Sequence, residues 1–74
     1  MSLVCSLQGH RVRATLTFTS TGRVPVTLTA GDRTETTNAT GNVRLDVIGA
    51  PPAKGNATCS ARVNGLAIGP VIAT

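Results

Sequence analysis

Gly55-Asn56-Ala57-Thr58-Cys59-Ser60-Ala61-Arg62-Val63 is the stretch that decides the fold class. Ala57, Cys59, Ala61 and Val63 alternate with Thr58, Ser60 and Arg62. A period of two is that of a half-buried β-strand, with small apolar side chains turned inward and polar ones outward. The inward set holds one of only two cysteines; the other, Cys5, stands in its own alternating run of Leu3, Cys5 and Leu7. Everything between them is a loop that the two thiols can close.

The same alternation recurs through the rest of the chain. Val12, Ala14, Leu16 and Phe18 face one way, and Arg11, Arg13, Thr15, Thr17 and Thr19 the other. β-Branched threonine suits the pleated surface, so this run reads as a long strand. Thr21-Gly22-Arg23 reads as a turn, followed by a strand carrying Val24, Val26 and Leu28. Pro25 within it donates no backbone hydrogen bond, which places this strand at a sheet edge. After a turn at Gly31-Asp32, the polar Arg33–Thr37 segment is a short edge strand or a loop. Asn38–Asn42 reads as a turn, and Val43, Leu45 and Val47 mark another strand. Gly49–Gly55, with Pro51-Pro52 inside it, is a loop. Asn64-Gly65 is a strong hairpin signal, and Leu66–Ala73 returns as a last strand interrupted at Gly69-Pro70. No helical period appears. Six or seven short strands are expected, folded as a single all-β domain over residues 1–74, a two-layer antiparallel β-sandwich.

Composition narrows the function classes. A chain of 74 residues has one Phe, no Trp and no Tyr, so its core is built from Val, Leu, Ile and Ala. So short a chain buries a limited core and usually needs a staple. Its two cysteines allow one intramolecular pairing; free thiols and a metal site are the other readings. Zinc usually takes four ligands, and His10 is the only histidine, so the metal reading lacks donors. Small disulfide-stapled domains belong to oxidising compartments, which points to a secreted or cell-surface protein. No apolar run approaches the ~20 residues of a membrane span. Met1-Ser2-Leu3-Val4 lacks the basic start and long apolar core of a secretory leader, so the chain reads as a mature or excised domain.

Enzyme chemistry finds little to work with. Asp32, Glu35 and Asp46 are the whole acidic inventory, spread between an outward strand position and a turn. A nucleophilic triad would have to use His10, which lies beside Gly9 in a turn. No phosphate-cradling glycine motif is present. No catalytic residue, cofactor or metal is therefore expected. The net charge of +4 is carried almost wholly by arginine, whose planar guanidinium suits carboxylate, sulfate or phosphate. Nucleic acid is disfavoured because no aromatic ring is available to stack on bases. Asn38-Ala39-Thr40 and Asn56-Ala57-Thr58 match the N-glycosylation acceptor pattern.

The spacing resembles an immunoglobulin-like domain. In that family two cysteines bridge the sheets, and Cys5 and Cys59 fill those places. Phe18 stands thirteen residues after Cys5, where the family packs a large aromatic against the bridge. Leu45-Asp46-Val47 and Gly55-Asn56-Ala57-Thr58-Cys59 occupy the positions of two further family motifs. Ala57 replaces the family's tyrosine, Ala53 its aspartate and Phe18 its tryptophan, and the family's first strand has no counterpart.

The resemblance implies a Cys5–Cys59 disulfide and a non-catalytic extracellular binding or adhesion module. On that topology the Phe18 and Cys59 strands are neighbours. Arg11, Arg13 and Arg62 would then gather on an outer sheet face and meet a protein or anionic glycan. The alternatives are a structural, self-assembling β-domain and a small-ligand carrier. With the family's first strand absent, the Leu3–Leu7 edge would be unpaired and open to a homodimer.

Overall fold

The computed structural model describes all residues 1–74, and every regular element in it is a β-strand. They are β1 (Ser2–Gln8), β2 (Arg11–Ala30), β3 (Arg33–Gly49), β4 (Thr58–Val63) and β5 (Leu66–Ile72). All pairings are antiparallel, in the order β1-β2-β4-β5, with β3 also paired to β2. The five strands replace the six or seven expected, because two are unusually long.

β2 runs for 20 residues, which would span about 66 Å if straight. The longest dimension of the molecule is 39 Å, so the β2–β3 hairpin must bend. It does so midway, where the register slips between Ser20↔Gly41 and Val24↔Ala39. Thr21, Gly22 and Arg23 there oppose Thr40 alone. An excess of residues on one strand bends and twists the ladder without ending it. The expected turns at Thr21–Arg23 and Asn38–Asn42 are thus the two sides of one bulge, with Gly41 at φ +76°.

The bend divides the sheet into two halves that curl over a common core. In the first half, β1 and the end of β3 flank the start of β2. In the second, the start of β3 and β4 flank Val24–Ala30, with β5 beyond β4. The alternating residues supply the core: Cys5, Val12, Ala14, Leu16, Phe18, Val26, Leu28, Ala30, Val43, Val47, Ala57, Cys59, Ala61 and Val63 are buried. No polar or charged residue is buried with them. The fold-back is held at the hairpin tip. Asp32 N donates to the Ala50 carbonyl at 3.2 Å, Asp32 Oδ1 accepts from Ala50 N at 2.8 Å, and Gly31 N donates to the Thr58 carbonyl at 3.1 Å. At the other margin Leu7 N donates to the Thr74 carbonyl, and β1 lies near β5.

Cys5 and Cys59 form a disulfide, with Cα atoms 5.7 Å apart. It joins β1 to β4, which are not neighbours in the sheet, so it clamps the two halves. Cys5 sits opposite Ala14, and Cys59 opposite Ala30. Both alanines are fully buried. The small methyl groups leave room for the bridge, whose Cys59 Sγ lies 3.8 Å from the Arg13 carbonyl oxygen. Phe18 is buried too, but its cross-strand partner is Val43. It lies four residues beyond Ala14, about 13 Å along the strand. In the ladder, Ala14 and Ala30 stand opposite the bridged cysteines, and Phe18 shares the same core cluster with them.

Pro25 departs from expectation. It belongs to the central strand, paired with Asn38, and not to an edge. It is tolerated because β4 ends beside it: its carbonyl accepts from Asn64 N at 2.9 Å, and no ladder donor is needed there. The Asn64-Gly65 turn has φ of 50° and 84°, as a type I′ hairpin turn requires.

Candidate functional site

Strand alternation leaves two outer faces, one on each half of the sheet, and the expected arginine set is divided between them. On the first half, Arg13 pairs across β2 with Ser6 on one side and Ile48 on the other. Thr15 lies between Val4 and Asp46, and Thr17 between Ser2 and Arg44. Thr15 Oγ1 donates to Asp46 Oδ1 at 2.6 Å, and Arg13 Nη2 lies 3.6 Å from the same oxygen. The Thr15 hydrogen bond is the largest effect on the Asp46 carboxyl. Desolvation, the next largest, opposes it, and the nearby charges of Arg13 and then Arg44 add to it, so the net shift is below the ordinary value of 3.8. Arg13 is thus partly neutralised on its own face.

Arg11 lies at the end of the same strand, opposite Gln8. It lines an open hollow of about 500 Å³ with His10, Asp32, Arg33 and the Ile48–Ala50 segment. Arg33 in turn pairs with Glu35, Nε to Oε1, at 3.0 Å. The structure therefore brings Arg11 to His10 and Arg33 and divides it from Arg62.

Arg62 occupies the outer face of the second half. There β2 and β4 do pair, through Val26–Ala30 and Cys59–Val63. Arg62 stands opposite Thr27, and Ser60 opposite Thr29. On the far side of β2, Thr27 faces Thr36 and Thr29 faces Thr34. Thr29 Oγ1 and Thr34 Oγ1 are 3.2 Å apart. Val26, Leu28 and Ala30 are buried, so the threonines between them must face solvent. The result is a patch of hydroxyl groups across three strands with one guanidinium at its margin.

This patch borders a hollow of about 400 Å³ lined by Thr27, Thr29, Ser60, Arg62 and, on the β5 side, Ala67–Pro70. Gly69 shapes that wall, with φ +88° at the point where β5 slips register against β4. No carboxylate lines the hollow, and Arg62 has no ion-pair partner, unlike Arg13 and Arg33. The arrangement can present a planar bidentate donor beside several hydroxyls. Sequence reasoning identified Arg62 but missed Thr27, Thr29, Thr34 and Ser60. The Thr-x-Thr repeats at 27–29 and 34–36 were the available signal.

The remaining candidates are dispersed. Asn38 is exposed on β3, and Asn56 is exposed in the loop before β4. A narrower hollow of about 260 Å³ opens between the two halves along β3, with Leu28, Leu45 and Val47 beside Glu35, Thr36, Thr37 and Asp46. No helix is long and apolar enough to cross a membrane. Comparison with known proteins finds no matching family model, no matching curated protein and no matching solved structure.

Proposed function

We propose that this domain is a non-catalytic extracellular binding module that engages an anionic glycan through the outer face around Arg62. One observation carries the reading: Arg62 is an unpaired guanidinium at a hollow that contains no carboxylate, lined on one side by Thr27, Thr29 and Ser60 and on the other by the largely apolar Ala67–Pro70 segment. An ion pair would compete with a ligand for that guanidinium, and here none does. Sulfate or carboxylate groups match its bidentate geometry, and the hydroxyls of Thr27, Thr29 and Ser60 supply donors and acceptors for a sugar.

The secreted location rests on the disulfide in a small domain. The curled halves clamped by that bridge are read as a two-layer sandwich, comparable in this respect to an immunoglobulin-like domain. Exposed Asn38 and Asn56 are its candidate glycosylation sites.

The test is retention on a sulfated-oligosaccharide matrix at rising salt. Arg62→Ser and Arg23→Ser remove the same charge, and Arg23 is exposed in the β2 bulge. Arg62→Ser should elute at distinctly lower salt than Arg23→Ser, and a desulfated matrix should retain neither. Equal elution of the two variants would reduce the interaction to net charge.

A further inference from the structure

Apart from Leu7, whose N–H is taken by the Thr74 carbonyl, the outer edge of β1 carries none of the devices that protect the other strand edges. The outer side of β3 carries Arg33, Glu35, Arg44 and Asp46, and β5 is broken by Gly69-Pro70. Charges, prolines and bulges of this kind keep strand edges from pairing. β1, from Ser2 to Gln8, has neither charge nor proline.

Its hydrogen-bonding pattern defines what could pair there. Gln8 and Arg11 close a two-residue turn, so Gln8, Ser6, Val4 and Ser2 direct their backbone groups at β2. Leu3, Cys5 and Leu7 direct theirs outward. Leu7 N is already donated to the Thr74 carbonyl. No backbone bond outside the β1–β2 ladder reaches Leu3 or Cys5. The open edge therefore offers the N–H and C=O of Leu3 and of Cys5, with Val4 between them on the outer face, 56% exposed.

We propose that this edge binds a second copy of the chain, antiparallel and twofold symmetric, with Val4 opposite the partner's Val4. In that register Leu3 faces the partner's Cys5, and Cys5 the partner's Leu3. Each pair exchanges both backbone bonds, as alternate antiparallel pairs do. Every open group of Leu3 and Cys5 is then used, and the Leu7–Thr74 bond stays intact. A register centred on Cys5 would instead set Leu3 against the partner's Leu7, whose N–H is already taken. The exposed Val4 side chains meet directly across the axis, in the closer, non-hydrogen-bonded type of pair. Two copies of β3–β2–β1 then form one continuous sheet. The absence of charge on β1 matters because each copy carries +4; the positive charges lie on other strands and turns. This surface lies on the opposite half of the sheet from Arg62, so its failure and that of the glycan reading are distinguishable.

Cross-linking tests the register. In Val4→Cys the new thiols lie opposite each other, with Cα atoms about 4.5 Å apart, inside the range a disulfide bridges. Oxidation should give a covalent dimer through position 4, with the Cys5–Cys59 bridge intact by peptide mapping. Ser6→Cys faces position 2 of the partner and should cross-link far less. Light scattering over a concentration series should show the wild-type mass rising toward that of a dimer. Val4→Lys, which sets like charges face to face, should weaken association by about tenfold or more. A wild-type monomer at every concentration overturns the proposal, as do equal cross-linking at positions 4 and 6 and no cross-linking at position 4.

Discussion

Gly49 lies against Ala30 so closely that a Cβ on Gly49 would overlap the Ala30 carbonyl oxygen. This contact is where the bent β2–β3 hairpin returns to its own base. Gly31, one residue past Ala30, stands in the same relation to the Ala50 carbonyl and has φ +58°. The two glycines allow backbone to meet backbone at a point where any side chain would wedge the halves apart.

Gly49→Ala should therefore destabilise the domain by at least the ~1–3 kcal/mol typical of overpacking, since the obstacle is backbone and cannot rotate away. Gly31→Ala should do the same, with strain added by its left-handed conformation. Gly22→Ala is the control, because nothing lies within 4 Å of its added Cβ and its φ is not in the left-handed region. Chemical denaturation of the three variants should place Gly22→Ala near wild type and the other two well below it.

The Cys5–Cys59 bridge closes a loop across a sequence separation of 54. In the chain-entropy model a loop of that length contributes about 4 kcal/mol, against a total stability of about 5 kcal/mol for a domain this small. The double variant Cys5→Ala, Cys59→Ala should be largely unfolded at 37 °C by circular dichroism. Intact-mass measurement after alkylation without reductant should find no free thiol in the wild type. Ala14→Leu or Ala30→Leu, which crowds the sulfurs from either side, should lower bridge yield on refolding more than Ala39→Leu, at a partly buried position near the bulge.

Phe18 is the largest side chain in the core and is 6% exposed. Its truncation in Phe18→Ala should cost about 3–5 kcal/mol. The loss should be felt through Val43, its partner in the ladder, and not through the disulfide. Phe18→Ala combined with Val43→Ala should accordingly be non-additive. Phe18→Ala combined with reduction of the bridge should be closer to additive, because Phe18 lies about 13 Å along β2 from Ala14, the residue opposite Cys5.

The pairs of strands were harder to read from sequence than the strands themselves. Alternation at Val12–Phe18 and Ala57–Val63 is a local property, and both runs are buried as their period requires. Gly31-Asp32 and Asn64-Gly65 are likewise local, and both are turns. Thr21-Gly22-Arg23 carries the same turn-forming residues, yet it lies in a bulge. The difference is whether the same ladder resumes beyond it, which depends on Ala39 and Gly41 some twenty residues away. The division of Arg62 from Arg11 and Arg13 has the same origin. Alternation shows that all three point outward, but only the bend in β2 decides that outward means two different faces.

The Asp46 carboxyl supplies a pH test of the first of those faces. Thr15 donates to it at 2.6 Å, and Arg13 and Arg44 lie near it, so its pKa is lowered in the folded protein. A carboxyl with a depressed folded pKa stabilises the fold above its unfolded pKa, and that contribution disappears as pH falls through the folded value. The unfolded value is close to 3.9, so the contribution is complete by neutral pH and is lost below about pH 4. Asp46 is solvent-exposed, which keeps its effect on stability small, and the direct observable is its titration. NMR should show the Asp46 carboxyl titrating below 3.8 in the wild type. Thr15→Val should move it upward more than Arg44→Gln does, because the hydrogen bond is the largest cause. Added salt should weaken the arginine contributions and leave most of the Thr15 effect in place. If Arg44→Gln moved the titration further than Thr15→Val, the carboxylate would be held by charge, and the Thr15 hydroxyl would point elsewhere.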